Sequence, residues 1–158
     1  MFSEPAILIL GGASTNGEVD LLNLSGTNGS LCGESIPDLP HYVRYNGHAI
    51  TVTSTGTIIE CGGNTPGTSY SQLCYYLGDD QEWHLAPVLP YGSNTAVMVS
   101  LDNYIVHLGG YHSSSTYDSY IYILEESLNG SWSYAGQMMN KRSRACAVTI
   151  ESGVIIIG

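Results

Sequence analysis

Positive charge is scarce in this chain. It has 4 Lys and Arg residues against 14 Asp and Glu residues, and its formal net charge is −10. A nucleic-acid-binding domain needs a basic surface that neutralises phosphates, so this composition excludes nucleic acid as a partner. An acidic membrane surface would repel the chain for the same reason.

Long apolar runs and helical periodicity are also missing. No stretch is long enough to cross a bilayer, which excludes membrane insertion by a helix. No segment spaces its apolar residues as an amphipathic helix does. The first residues, Met1 to Pro5, carry no basic side chain and precede only a short apolar stretch, so any secretion signal would lie upstream of them.

A repeat marked by glycine is the clearest pattern present. Apolar runs end in Gly11-Gly12, Gly62-Gly63 and Gly109-Gly110, and a fourth run ends at Gly158. The intervals are about 51, 47 and 49 residues, a period typical of β-propeller blades. Short runs bounded by Gly, Asn, Asp and Pro predict four strands in each unit.

Other residues recur in step with the glycines. Ala49, Ala96 and Ala145 lie at one common distance before the three later stops, and we expect each to open an apolar strand. Trp83 lies as far before Ala96 as Trp132 lies before Ala145. This pattern predicts four strands in each unit. The first is opened by alanine, the second ends at glycine and is followed by a loop, and the fourth carries Trp.

Gly62-Gly63, followed by Tyr76, Trp83 and Ala86-Pro87, resembles the kelch repeat. The resemblance implies an all-β fold: a partial kelch-type β-propeller of about three four-stranded antiparallel blades. It covers residues 6–158, with units at 6–47, 48–94 and 95–143 and a further one starting at 144–158. Tyr76, Trp83 and Trp132 would pack between blades. Propellers typically close with four to eight blades, so we expect a slice of a larger one, completed in cis or by self-association.

The cysteines bear on the cellular compartment. Cys61 ends one predicted strand and Cys74 is the second residue of the next, so antiparallel pairing would bring them close enough for a disulfide, and two buried free thiols are the alternative. The matching pairs are Leu108 with Ile121 and Leu10 with Leu21. We expect Cys146 to be buried and assign no partner to Cys32. The resemblance extends to secreted, Cys-bearing kelch proteins of invertebrates, which favours an extracellular location over a cytoplasmic one.

No catalytic or metal-binding pattern stands out. The five His residues are scattered, and we interpret His107 as a satisfied strand residue and His112 as a solvated loop residue. We therefore expect no catalytic residue, metal or cofactor. The resemblance leaves one enzymatic alternative: a fragment of a galactose-oxidase-like or carbohydrate-active propeller whose catalytic residues lie elsewhere.

Binding through the rim loops is the function that the resemblance implies. Asn64 and Tyr111 follow glycine doublets. Asn94 and Ser143 precede the inner strands, which are the alanine-opened strands expected to lie nearest the propeller axis. Four more residues lie close to these in sequence: Arg142, Arg144, Tyr91 and His112. Their amide and aromatic groups suit a protein or peptide partner, or a glycan, and we expect weak binding of a strongly acidic motif. An intracellular substrate adaptor is the alternative role.

Three segments match the N-glycosylation acceptor pattern: Asn23-Leu24-Ser25, Asn28-Gly29-Ser30 and Asn129-Gly130-Ser131. Asn28 and Asn129 fall in turn-like stretches where a glycan would fit. Asn23 falls within a predicted strand and is a poorer acceptor.

Overall fold

The structure is a computed structural model, and it describes residues 6–10, 19–23, 37–40, 47–65, 67–113, 116–151 and 153–158. Its regular structure is entirely β. The strands are β1 (Ala6–Leu10), β2 (Val19–Asn23), β3 (His48–Val52), β4 (Ile58–Gly62), β5 (Cys74–Leu77), β6 (Trp83–Ala86), β7 (Val97–Leu101), β8 (Tyr104–Ser113), β9 (Thr116–Glu125), β10 (Ser133–Gln137), β11 (Cys146–Ile150) and β12 (Gly153–Ile157). No helix occurs in the described residues.

The strands form four antiparallel sheets in which sequence neighbours pair. Strands β3 to β6 make one four-stranded sheet and β7 to β10 a second, while β1–β2 and β11–β12 are two-stranded. The all-β prediction is confirmed. Three four-stranded sheets were expected, and the described residues contain two, because residues 24–36 and 41–46 of the first unit lie outside them.

Backbone hydrogen bonds show that the two four-stranded sheets are copies of one unit. The amide of Gly63 donates to the carbonyl of Ser93 and that of Gly110 to the carbonyl of Arg142, both at 2.8 Å. Two further pairs match in the same way: Ser93 to Ser71 with Arg142 to Asp118, and Leu89 to Gln72 with Met138 to Ser119. Ser93 and Arg142 therefore hold the same place in successive units.

The recurring alanines do not hold equivalent places. Ala49 lies inside β3 opposite Cys61, whereas the residue opposite Leu108 is Val97. Ala96 and Ala145 precede β7 and β11, so the prediction that each opens a strand is wrong. The cause is the turn at 53–57 between β3 and β4, which is longer than the turn at 102–103 between β7 and β8.

Each sheet packs its face against the next. One buried cluster lies between the four-stranded sheets and includes Ile59, Met98 and Leu124. A second cluster, built on Val106 and Leu108, lies between β7–β10 and the β11–β12 pair. Strand β7 contacts both β3 and β11, so the first strands of successive units lie side by side.

Both tryptophans donate a hydrogen bond to the carbonyl of a proline in the preceding unit. The indole nitrogen of Trp83 lies 2.8 Å from the oxygen of Pro37, and that of Trp132 lies 2.8 Å from the oxygen of Pro87. Trp132 is buried in the cluster between the sheets, and Tyr76 packs against the same cluster. A buried indole N–H needs such a partner, and here the partner is repeated from unit to unit.

The described glycine doublets are left-handed and tightly enclosed. Gly62 and Gly109 have φ values of 81° and 61°, and a Cβ on either would lie within 2.6 Å of a carbonyl oxygen. Gly11 and Gly12 lie outside the described residues. The prediction that a loop follows each doublet is wrong at Gly109-Gly110, where β8 bulges and continues to Ser113 paired with β9.

Cys61 and Cys74 form a disulfide. They stand directly opposite each other on β4 and β5, with Cα atoms 4.1 Å apart and Sγ atoms at bonding distance, which decides against two free thiols. Leu108 and Ile121 pair as expected. The expected pairing of Leu10 with Leu21 is wrong, since these residues face Val19 and Leu8.

Cys146 is exposed, so the prediction that it is buried is wrong. It lies opposite Ile157 on the uncovered face of the β11–β12 pair. Cys32 lies outside the described residues.

Candidate functional site

The segments that lead into β3, β7 and β11 meet at one end of the sheets, the end that carries the glycine doublets; we call it the doublet end. The amide of Thr95 donates to the carbonyl of Gly47 at 2.6 Å, and the amide of Arg144 donates to the carbonyl of Thr95 at 2.8 Å. These three residues are equivalent in successive units. Their hydrogen bonds join the units and fix the position of the side chains beside them.

All three residues have a left-handed backbone. The φ values are 89° at Gly47, 55° at Thr95 and 53° at Arg144. Glycine adopts this conformation without cost, but a β-branched residue such as Thr is strained there. Residues held in such conformations are common at binding and catalytic sites. Gln81, Asp102 and Leu128, in turns at the opposite end of the sheets, also have positive φ values, so the backbone alone does not distinguish the two ends.

A cleft of about 570 Å³ opens at the doublet end. It is lined by Tyr70, Asn94, Thr95, Tyr111, Tyr117, Lys141, Arg142, Ser143, Arg144 and Gly158. Five of the eight residues proposed for binding from the sequence are among them: Asn94, Tyr111, Arg142, Ser143 and Arg144. A volume of this size lies in the range of small-ligand and peptide-side-chain pockets.

The charged side chains that line the cleft are all positive, and the guanidinium of Arg142 donates a hydrogen bond to the oxygen of Gly158. Lys141, Arg142 and Arg144 are three of the four basic residues of a chain whose net charge is −10. None of the described lining residues is acidic. The expectation of weak binding to a strongly acidic motif did not include Lys141, which the structure places in the cleft beside Arg142 and Arg144.

Tyrosines make one wall of the cleft. The rings of Tyr111 and Tyr117 meet edge to face with centroids 4.5 Å apart, and Tyr70 stacks on Tyr111 at 6.4 Å. A hydrogen bond with Tyr117 raises the pKa of the Tyr111 hydroxyl, while the guanidinium of Arg144 acts to lower it. Arg144 is therefore close enough to the Tyr111 hydroxyl to interact with it electrostatically. A bound group at the cleft would meet aromatic faces and cations together.

Asn94 anchors the wall to the neighbouring unit. Its backbone amide donates to the carbonyl of Tyr111 at 2.9 Å, and the amide of Tyr111 returns a bond of 2.7 Å. Its side-chain nitrogen donates to the carbonyl of Ser69 at 3.1 Å and to the side-chain oxygen of Asn64. Asn64 therefore supports the cleft from behind and does not line it.

Tyr91 and His112 belong to a different cluster. Their rings lie 5.4 Å apart, and Tyr91 also contacts the rings of Tyr120 and Tyr122. The Nδ1 atom of His112 lies 3.3 Å from the carboxylate of Asp118. His112 follows Tyr111 on β8, and because successive strand residues face opposite ways, it points away from the cleft.

Two ionisable groups are buried near the doublet end, and of these Glu60 was not predicted from the sequence. Glu60 and His107 hold the same place in β4 and β8, two residues before the doublet, and both are about 1% exposed. Burial raises the pKa of Glu60 to about 8 and lowers that of His107 to about 4. Neither ring nitrogen of His107 has a hydrogen-bond partner in the described part of the chain, so the interpretation of His107 as satisfied is wrong.

The described residues contain no group of three or more His, Cys, Asp or Glu side chains placed to hold a metal ion. They also contain no helix that is long and apolar enough to cross a membrane.

No family model matches the chain, and no curated protein matches it. Among solved structures, the chain is similar to the structure of YjhT, with a TM-score of 0.61 and 15% sequence identity. The match covers 77% of this chain and 35% of that one, so this chain spans about a third of the protein that it resembles. At this identity the likeness concerns the fold alone.

Proposed function

We propose that the chain is part of a kelch-type β-propeller and serves as a non-catalytic recognition module for an acidic segment of a protein partner, outside the cell. The observation that carries the proposal is the placement of charge. Three of four basic side chains lie in one cleft beside tyrosines, while the chain as a whole is strongly acidic.

The repeated sheets support the propeller. The four-stranded units share their hydrogen bonds, their glycine doublets and their Trp-to-proline contacts, and their first strands lie side by side. In such an arrangement the loops of successive units converge at one rim, which is where ligands of this architecture are expected to bind. The likeness to YjhT in fold agrees with this arrangement.

The chemistry of the cleft favours carboxylates presented on a polypeptide. Guanidinium groups bind carboxylates through paired hydrogen bonds, and the Tyr111 and Tyr117 rings offer faces for apolar or aromatic side chains next to an acid. A net charge of −10 repels an acidic partner everywhere else, so the cleft also sets the orientation of binding.

The Cys61–Cys74 disulfide supports the extracellular location. Disulfides persist in oxidising compartments and are rare in the cytosol. This bond joins two buried cysteines on adjacent strands of one sheet, where it has a structural role.

A random 12-residue peptide library displayed on phage tests the ligand class, with the purified chain as bait. The R142A/R144A variant serves for counter-selection, because it lacks two cleft charges and keeps the rest of the surface. We expect the enriched peptides to be rich in Asp and Glu and to bind more weakly as salt rises. Enriched peptides without acidic residues, or peptides that bind the variant equally well, would overturn the proposal.

A further inference from the structure

The end of the sheets opposite the doublet end, which we call the far end, carries the connection between β9 and β10. Strand β9 runs from the cleft to Glu125 and β10 runs back from Ser133. Residues 126–132 therefore lie at the far end. Within them, Asn129-Gly130-Ser131 is an N-glycosylation acceptor pattern.

Buried side chains hold the connection on both sides of this pattern. Leu128 packs against the cluster between the four-stranded sheets, and its amide donates to the carbonyl of Glu125 at 3.0 Å. Trp132 is buried in the same cluster and donates its indole hydrogen bond to Pro87. The three residues between these anchors form a short arch with fixed ends.

The arch itself projects into solvent. Asn129, Gly130 and Ser131 are all exposed. A Cβ added to Gly130 would meet no atom within 4 Å, so open space surrounds the middle of the pattern. A transferase could reach the Asn129 amide there without unfolding a strand.

We propose that Asn129 is a site of N-linked glycosylation. In the reaction, the side-chain amide nitrogen of Asn129 attacks the anomeric carbon of an oligosaccharide carried on a lipid diphosphate. The new C–N bond replaces the C–O bond to phosphate, the lipid diphosphate leaves with the electron pair, and the nitrogen gives up a proton to a base of the transferase. Ser131 supplies the hydroxyl that the acceptor pattern requires.

The structure distinguishes Asn129 from the other two candidates. Asn23 is the last residue of β2 and pairs with Ala6, so its backbone is part of a sheet. Asn28 lies outside the described residues. A glycan on Asn129 would stand at the far end and leave the cleft open, so modification and ligand binding are compatible.

The inference depends on the proposed extracellular location, since only the secretory pathway supplies the glycan donor. Expression of the chain in cultured animal cells behind an added leader peptide removes that dependence. Glycans are then released from the secreted protein with an amidase in ¹⁸O-water, which converts a glycosylated Asn into a labelled Asp. Mass spectrometry of the peptide that contains residue 129 is the readout.

We expect the label at position 129 in the wild type and in S131T, which keeps the acceptor pattern, and none in S131A, which keeps Asn129 but removes the pattern. Unlabelled Asn129 in secreted wild-type protein with an intact Cys61–Cys74 disulfide would overturn the inference. Label at position 129 in a protein whose cleft binds no acidic peptide would contradict the proposed function and leave the glycan site standing.

Discussion

At the scale of single residues, Thr95 is a β-branched residue held in a left-handed backbone conformation. Thr95 has a φ of 55°, a conformation in which a β-branched side chain is strained by roughly 1–3 kcal/mol. Its equivalent in the preceding unit is Gly47, which adopts the same conformation freely. The hydrogen bonds to Gly47 and Arg144 hold Thr95 in place against this strain.

Replacing Thr95 with Gly should therefore stabilise the chain by about 1 kcal/mol, because relief of strain exceeds the extra entropy of glycine in the unfolded chain. Urea-induced unfolding measures the change. The control is T51G in the middle of β3, which should destabilise. Equal destabilisation by T95G and T51G would show that the left-handed conformation is not strained.

Glu60 and His107 make stability depend on pH in opposite directions. The folded pKa of Glu60 is raised from 4.5 to about 8, so its contribution is complete below pH 4.5 and lost as pH rises to 8. The folded pKa of His107 is lowered from 6.5 to about 4, so its contribution is complete above pH 6.5 and lost as pH falls to 4. The two slopes offset each other between pH 4.5 and 6.5.

The wild type should thus lose stability between pH 6.5 and 8, by a few kcal/mol at most, since each unit of pKa shift corresponds to about 1.4 kcal/mol. E60Q removes the titrating group and should abolish this loss. Urea unfolding at pH 5.0, 6.5 and 8.0 compares the two proteins, with H107Q as the matched variant for the acidic side. An alkaline loss that persists in E60Q would assign it to another group.

At the scale of elements, a disulfide joins two strands of the second unit, β4 and β5. Where β4 and β5 carry Cys61 and Cys74, the matching positions of β8 and β9 carry Leu108 and Ile121. Both pairs are apolar and face the next sheet, so the sulfur pair replaces a packed aliphatic pair. In addition to this packing, the covalent bond restricts the conformations of the unfolded chain.

Removal of the disulfide in C61A/C74A should destabilise the chain by about 3 kcal/mol, the loop-closure value for a sequence separation of 13 residues together with the lost packing. Urea unfolding measures the loss. C146A is the control, since Cys146 is exposed and its replacement should change stability by less than about 0.5 kcal/mol. No difference between the two variants would mean that the bond contributes nothing to the fold.

Much of the element order could be predicted from the sequence, because each strand is bounded by turn residues and each unit repeats the pattern. The register could not. The turn at 53–57 moves β3 by one residue relative to its counterparts, so Ala49 and Ala96 differ in environment although their spacing from glycine is the same. A turn of a different length leaves no trace in such spacing. The continuation of β8 past Gly110 depends on its pairing with β9, a contact that no local pattern encodes.

At the scale of the whole molecule, none of the described residues covers the outer face of the β11–β12 pair. Val148, Ile155 and Ile157 are 54%, 45% and 70% exposed on the β11–β12 pair. Their counterparts Val99, Val106 and Leu108 on β7 and β8 are buried beneath β11–β12. An apolar face of this kind tends to associate in solution.

The chain by itself should therefore form dimers or larger species at micromolar concentration. I155D/I157D places two charges on the exposed face and should shift the chain toward monomer. Sedimentation velocity measures both proteins, and Y104D, which charges an exposed tyrosine of β8, is the control. A wild type that sediments as a sharp monomer would show that the face needs no cover.

Some of the residues that line the cleft could be predicted from the sequence, and others could not. Asn94, Tyr111 and Ser143 could be proposed because they recur beside glycine doublets and inner strands. Lys141 and Tyr117 were not proposed, although Tyr117 holds the place that Tyr70 holds in the preceding unit, since Ser71 and Asp118 are equivalent. The approach of Lys141 to Tyr117 depends on how β9 and the segment before β11 pack together. Tyr91 and His112 lie close to the cleft residues in sequence, but strand alternation turns His112 away from the cleft, and Tyr91, which lies outside the strands, packs against the ring of His112.

The central claim is that the cations of the cleft bind an acidic segment. Its most direct test is the dissociation constant of one acidic peptide enriched from the library, measured by fluorescence polarisation on the wild type and on K141A/R142A/R144A. Loss of three favourable contacts should weaken binding at least tenfold, about 1.4 kcal/mol, while urea unfolding remains unchanged. Equal affinity of the two proteins for the peptide would contradict the claim and place recognition elsewhere on the molecule.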